Sequence, residues 1–505
     1  MAMIIFQDNS LNLSCRSDLK EQPINTQLFL TVFLSYLCLM TFVGWFVSRK
    51  QKGGEAFLMG RRQLSLGLLL GTVVATLVGT GSSMGAVANA YANGWGGALF
   101  GIGGGVGIIL LVLCFSSMRK HNFMTMTEEI AFYYGANKAV KSIVAIVLYL
   151  ASIGWLGAHI LGGSFYLSWT SGLDLLTSKI ITAAGFGLYV IIGGYLAVVW
   201  TDTVQAVILF VGFILLAIMA VPAAGGFENI RATVSPENLS FLGIEKSGLI
   251  PAISLAVSIS VGTLSAPSFR QRLYTAKNIS VVKKGFYISA IAYFLFSALP
   301  VVIGLSANSI NPDLTNNNMA FPFMATSILP PLIGTLVLVS GLSASMSSGD
   351  SDALAAVTIL LRDIWVVFTG KVPHKDDVVR YSRWAIFFSI MLAFSFGILA
   401  EDILGYITKM ISTLMSGICV AAILGRFWKR ATWQGAIAAL ISGSVISFVM
   451  FSSTSLSEYF GNPIIPSLAG AALAHVIVSF ATPMNEVSDA DTLEIINNER
   501  KAMDL

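Results

Sequence analysis

Charge is what this sequence has least of. Of 505 residues, 11% are Asp, Glu, Lys or Arg while 55% are hydrophobic, and mean hydropathy is +0.78; an ordinary soluble domain carries about 25% charged residues. That scarcity excludes a water-soluble globular chain and predicts an all-α polytopic membrane protein with the lipid bilayer as its solvent. Cysteine is also scarce. Cys15, Cys38, Cys114 and Cys419 are far apart and three lie in apolar runs, so neither a disulfide framework nor metal-ligand spacing is present. The four histidines, His121, His159, His374 and His475, are equally dispersed, and no H-E-x-x-H or G-x-S-x-G signature occurs, so nothing supports an enzyme. The glycine cluster from Gly101 to Gly107 has no following lysine and sits in an apolar run, which makes it packing glycine rather than a phosphate loop. The net charge of +4 is distributed in short clusters between apolar runs, which argues for membrane loops and against a nucleic-acid partner. No obligate protein partner is evident.

Long apolar runs are what the chain has in abundance. Runs able to cross about 30 Å of hydrocarbon predict thirteen spans, near 27–47, 64–90, 97–117, 141–170, 175–195, 198–222, 248–269, 283–306, 331–361, 384–400, 402–425, 432–452 and 463–482. The transporter-like body thus covers 27–482, flanked by segments 1–26 and 483–505. The first segment carries Asp8, Arg16, Asp18, Lys20 and Glu21 without the pattern of a signal peptide, so it is expected to be retained. The last is too short for a signalling kinase. Of the 30 basic residues, 22 fall in five loops: Arg49 to Arg62, Arg119 to Lys141, Arg270 to Lys284, Arg362 to Arg383, and Arg426 to Arg430. The other loops hold only Arg16, Lys20, Lys179, Arg231 and Lys246. The positive-inside rule places the N-terminus outside and the C-terminus in the cytoplasm, in a plasma (inner) membrane.

Three spans carry polar groups that lipid does not tolerate without reason. The second holds Gly79, Thr80, Gly81, Ser82 and Ser83 at mid-depth, and the seventh holds Ser258, Ser260, Gly262, Thr263 and Pro267 in the corresponding place. Glycine and proline weaken the helix there and free backbone groups. Interruptions five spans apart point to inverted repeats whose solute and ion sites lie at unwound backbone, although glycine for close packing predicts the same composition. The ninth span contains Ala344, Ser347, Ser348, Asp350, Ser351 and Asp352. An ionisable side chain at membrane depth costs at least about 2.5–3.5 kcal/mol, and oxygen ligands of this kind suit a small hard cation.

The stretch Gly193-Gly194-Tyr195-Leu196-Ala197-Val198-Val199-Trp200-Thr201-Asp202-Thr203-Val204-Gln205 resembles the sodium:solute symporters, which include carriers of proline, pantothenate, sialic acid, sugars and choline. Arg270-Gln271-Arg272 to Lys277, Phe321-Pro322 with Leu329-Pro330-Pro331, and Gly425 to Arg430 with Gly435 extend the resemblance over roughly 27–440. It implies a LeuT-type fold: two inverted five-helix repeats, about 64–222 and 248–425, with one extra helix before and two after. It also implies sodium as the coupling ion. By position, Ala75 and Val78 match two backbone ligands of the family's shared sodium, and Ala344, Ser347 and Ser348 match a carbonyl and two hydroxyls. Asp202, with Ser348, Asp350 and Ser351, matches a second sodium site found in some relatives. Here Asp350 stands where those relatives have a hydroxyl, so it could add charge for a cation or carry a proton. Asp352 could face the same cavity or reach cytoplasmic water.

Candidate solute contacts are Thr80, Ser82 and Ser83 on the second span, Trp155 and His159 one turn apart on the fourth, and Ser258, Ser260 and Thr263 on the seventh. His475 has no expected site role. Lys409, the basic residue deepest in a span, could snorkel or line an outer vestibule. The expected function is sodium-coupled import of a small organic solute, an amino acid, carboxylate, sugar or quaternary amine, by alternating access. A proton-coupled or passive carrier and a transporter-like receptor are the alternatives.

Overall fold

The computed structural model describes residues 26–49, 54–190, 194–374, 377–484 and 487–504. The segment before residue 26, with its acidic and basic residues and Cys15, lies outside them. Apart from an isolated bridge between Leu64 and Ala276, the ordered backbone among the described residues is helical. The helices used below are α1 (Thr26–Ser48), α2 (Leu66–Leu77), α3 (Ala86–Asn93), α4 (Ala98–Phe115), α5 (Met126–Tyr133), α6 (Lys138–Ser171), α7 (Leu175–Val190), α8 (Tyr195–Ala223), α9 (Leu249–Ser265), α10 (Pro267–Thr275), α11 (Ile279–Phe296), α12 (Ala298–Ile310), α13 (Pro331–Ile359), α14 (Val378–Gly397), α15 (Ile403–Met410), α16 (Ser416–Phe427), α17 (Trp433–Phe451), α18 (Ile464–Ala481) and α19 (Asp489–Asp504). Among the described residues eight helices are long and apolar enough to cross a membrane, or nine if the bent pair α9 and α10 is one span. The expectation of thirteen is therefore not settled by length and composition.

Helix boundaries follow local chemistry. Thr125, Asn137, Asp402 and Thr432 each accept a hydrogen bond from a backbone N–H in the first turn of the helix they precede, which satisfies one of the four orphan donors there. The two interruptions foreseen from composition are real. Between α2 and α3 the chain leaves helical geometry at Val78 (φ −86°, ψ 59°) and resumes through a π-helical turn, Gly81–Gly85. Between α9 and α10 it bends by 45° at extended Ala266, where Pro267 supplies no N–H to continue the ladder.

Around these two breaks α13 runs centrally, packed against α6, α8, α1 and α14. Lipids are as apolar as leucine, so close packing and polar contacts must hold such helices together. The glycine cluster on α4 does this: a Cβ at Gly103 would sit 2.4 Å from the Ala256 carbonyl oxygen, and one at Gly107 2.7 Å from that of Ser260. Outward faces stay apolar, as in the exposed stripe Val207, Val211, Ile214 and Ile218 of α8, spaced for one helical face.

The terminal helix α19 returns to the bundle and docks on α5 and the start of α6. Arg500 Nη2 donates to Glu128 Oε2 at 2.5 Å and Lys141 Nζ to Glu499 Oε2 at 2.8 Å, and Ile496 of the same helix is buried in the main core. The Arg500 guanidinium and backbone of Met124 hold Glu128 below the usual carboxylate range in spite of burial, which pushes it the other way. Arg500→Gln is expected to speed amide hydrogen exchange across 489–504 by about tenfold, the equivalent of about 1.4 kcal/mol. Unchanged protection would show that α19 is held by its apolar face alone.

Candidate functional site

The freed backbone of the first break meets α13. Ser347 Oγ donates to the Ala75 carbonyl at 3.1 Å and to the Ala344 carbonyl at 3.3 Å; Ser348 Oγ donates to the Thr76 carbonyl at 3.1 Å and to that of Ala75 at 3.4 Å. All are buried. Gly79 allows the approach, since a Cβ there would lie 2.5 Å from Ser348 Oγ and 3.0 Å from His159 Cε1. The structure thus brings Ala75, Ala344, Ser347 and Ser348 together, with buried Val78 ending the same helix turn. Oxygens from two carbonyl-bearing segments and two hydroxyls form a donor set that suits an alkali cation. Among the described residues, no group of three His, Cys, Asp or Glu side chains could hold a metal ion.

The Asp202 cluster is built differently from expectation. Asp202 Oδ2 accepts from Thr72 Oγ1 at 2.5 Å, from Ser351 Oγ at 3.3 Å and from Arg272 Nη2 at 3.0 Å. The same guanidinium reaches Ser351 Oγ at 2.5 Å, Thr72 Oγ1 at 2.9 Å and the Ser268 carbonyl at 3.0 Å. Ser351 in turn touches Asp350 Oδ1 at 3.4 Å. Asp202, Asp350 and Ser351 do converge, while Ser348 is engaged with the first break instead. The Arg272 guanidinium already bridges Asp202 Oδ2 and Ser351 Oγ, while Asp202 Oδ1 has no hydrogen-bond partner among the described residues.

Arg272 is not a loop residue, and neither is its neighbour Arg270, although both were counted among the basic loops. They lie on α10, at 1% and 0% exposure. Arg270 Nη1 donates to Glu129 Oε1 at 3.0 Å, and its guanidinium stacks 3.5 Å from the centroid of Phe115. Tyr133 donates to Glu129 Oε1 at 2.7 Å and Tyr274 donates to the other oxygen. Between the arginines, Gln271 Nε2 donates to the Leu58 carbonyl at 3.0 Å and to Thr358 Oγ1 at 3.2 Å. Three successive side chains of one half-helix therefore tie it to α5, to the segment before α2, and to α2, α8 and α13. The signal in the sequence was their position directly after the proline break, where a short helix has too little room to reach water.

A cavity of about 40 Å³ lies between the breaks, lined by residues that include Gly79, Ser82, Trp155, His159, Thr263 and Asp352. That volume holds a few waters at about 10–15 Å³ each, so a solute the size of an amino acid enters only when the walls separate. Of the predicted solute contacts, Ser82, Trp155, His159 and Thr263 line it. Thr80 stands behind, 3.0 Å from His159 Nδ1 and donating to Ser345 Oγ at 2.8 Å. Ser83 bonds to the Gly79 carbonyl at 2.7 Å, Ser260 to the Gly103 carbonyl at 2.7 Å, and Ser258 Oγ is buried without a partner; none of the three lines the cavity. Phe100, Phe269 and Tyr293 line it without having been singled out, because aromatic residues are common in every span. His475 packs against Tyr134 and Ser479 in the body, and exposed Lys409 lies 5.6 Å from the Phe451 ring centroid.

Similarity to known proteins agrees with this geometry. The family model described as "Sodium:solute symporter family" matches residues 57–443. The chain is 23% identical to the sodium/pantothenate symporter of Haemophilus influenzae over 71% of this chain and 75% of that one. It is 26% identical to the osmoregulated proline transporter OpuE of Bacillus subtilis over 68% and 70%. Among solved structures it superposes with TM-score 0.77 and 18% identity on a Na+-coupled sialic acid symporter in a substrate-bound outward-open state, covering 91% of this chain and 98% of that one. The fold is therefore of the LeuT-like symporter type.

Removing one partner of a buried ion pair costs about 3–5 kcal/mol because the other charge stays buried. Asp202→Asn and Arg272→Met should each lower the melting temperature markedly, while the double replacement should recover part of the loss. Additive losses in that cycle would mean that the two groups do not share a bond.

Proposed function

The chain belongs to the sodium:solute symporter family, and from this premise we propose that it imports a small organic solute with sodium by alternating access across a plasma (inner) membrane. The N-terminus lies outside and the C-terminus in the cytoplasm, so that the α5 and α10 end of the bundle is cytoplasmic. Thirteen spans, in repeats of about 64–222 and 248–425, carry out the cycle. The observation that supports this most directly is the meeting of Ser347 and Ser348 with the Ala75 and Thr76 carbonyls across the first break. There the hydroxyl-to-carbonyl bonds give way to a sodium ion held by Ala75, Val78, Ala344, Ser347 and Ser348.

A sodium ion at that place joins the broken helix to α13 and favours the state open to the outside. Inward release then requires α10 to leave, which means parting Arg270 from Glu129 and Arg272 from Asp202. Because Arg272 supplies the positive charge beside Asp202, Asp350 and Ser351, the cycle uses one sodium. The energy suffices: one ion moving through about 100 mV gains roughly 2.3 kcal/mol, and a tenfold gradient adds about 1.4 kcal/mol. Together these support roughly 500-fold accumulation of a neutral solute. Accumulation against a gradient also separates this reading from a passive carrier or a receptor.

Ser348→Ala is expected to raise the sodium concentration for half-maximal thermal stabilisation of the purified protein about tenfold, the loss of one hydroxyl ligand, with a Hill coefficient near one in the native protein. An unchanged sodium midpoint would remove Ser348 from the site, and a Hill coefficient clearly above one would require a second ion.

A further inference from the structure

Two polar groups at the cavity wall are left unmatched by the protein. Asp352 makes one contact, Oδ2 with His159 Nε2 at 3.3 Å. Its other oxygen receives no hydrogen bond among the described residues, although Asp352 is only 3% exposed and lines the cavity. Trp155, one helical turn before His159 on α6, lines the same cavity, and its indole N–H has no acceptor. The second Asp352 oxygen is thus open to the cavity without a donor, and the Trp155 N–H is a buried donor without an acceptor, which costs free energy. Both line the cavity between the two breaks.

The charge of the wall restricts what can fill it. Asp352 is the one acid among the lining residues, and no lysine or arginine lines the cavity. The nearby guanidinium groups on α10 are committed, Arg270 to Glu129 and Arg272 to Asp202. Phe100, Trp155, Phe269 and Tyr293 supply aromatic walls, whose ring faces attract a cation. His159 holds the carboxylate in place and, through Thr80, connects it to the first break.

We propose that the transported solute carries a protonated primary or secondary amine bound by Asp352, and a hydrogen-bond acceptor bound by the Trp155 indole. Trp155 and His159 are i,i+4 neighbours with ring centroids 6.5 Å apart, so the indole and the histidine that holds Asp352 lie on one face of α6. This rests on the symporter reading and narrows its substrate class to amino acids and related amines. A carboxylate lacking an amine meets no cation in this wall, and a polyol leaves the carboxylate without its counter-charge.

Sodium-driven uptake into proteoliposomes of labelled 4-aminobutyrate, proline and ethanolamine, set against pantothenate and myo-inositol, tests the assignment. At least one amine probe is expected to accumulate, with apparent affinity falling at least tenfold in Asp352→Asn and several-fold in Trp155→Phe, and partly restored in Asp352→Glu. Accumulation of pantothenate or myo-inositol that Asp352→Asn leaves unchanged overturns the substrate class, as does the failure of every amine probe to enter. The symporter reading is judged separately, by sodium-induced thermal stabilisation of the native protein without any solute. Absence of that stabilisation overturns the reading and this inference with it.

Discussion

A helix broken at membrane depth frees carbonyl groups that no water can reach, and the architecture around α2 and α13 follows from satisfying them. Each unmatched group in hydrocarbon costs several kcal/mol, so the break is stable only because α13 presents Ser347 and Ser348 where α2 ends. Those hydroxyls can approach because position 79 has no Cβ; even a methyl group there would collide with Ser348 and His159. One constraint therefore fixes the break, the register of α13 against it, and an oxygen cluster of the kind a hard cation prefers.

The same logic governs the second break, with arginine in place of serine. Pro267 ends one helix and begins another too short to carry its side chains to water, and the resulting desolvation of Arg270 and Arg272 is offset by Glu129, Asp202 and the Phe115 ring. Buried ion pairs contribute little to net stability, since the attraction mostly repays desolvation. What they supply is geometry: α10 fits in one orientation, and leaving it exposes two charges together. The contacts through α5 extend outward, because Glu128, next to the Glu129 that pairs with Arg270, is the residue that Arg500 of α19 grips.

The cavity between the breaks is too small for a solute the size of an amino acid or a sugar, and it is asymmetric in charge. Its aromatic walls and single carboxylate distinguish it from the arginine clusters on α10, which lie close in sequence to the break but are turned into the protein. Formal charge near a site is therefore a poor guide to the charge a solute meets. Asp352 matters because it opens on the cavity, while Asp202 is paired with Arg272 and does not line it.

Much of this was legible in the sequence. Low charge and long apolar runs imply helices in lipid, because only internally bonded backbone survives there. The breaks were visible as Gly79, Gly81 and Pro267, and the oxygen cluster as Ser347 and Ser348 one turn after Ala344, since helical periodicity is local. The fate of Arg270 and Arg272 was not legible: a basic run after an apolar span reads as a loop until its partners, Glu129 and Asp202, are known to be near, and they are 141 and 70 residues away. Nor could sequence separate lining hydroxyls from packing ones, as Thr263 and Ser260 show. Composition and period determine which segments are helices and where they break; which side chains meet across those breaks depends on contacts between distant segments, and only the packed structure decides them.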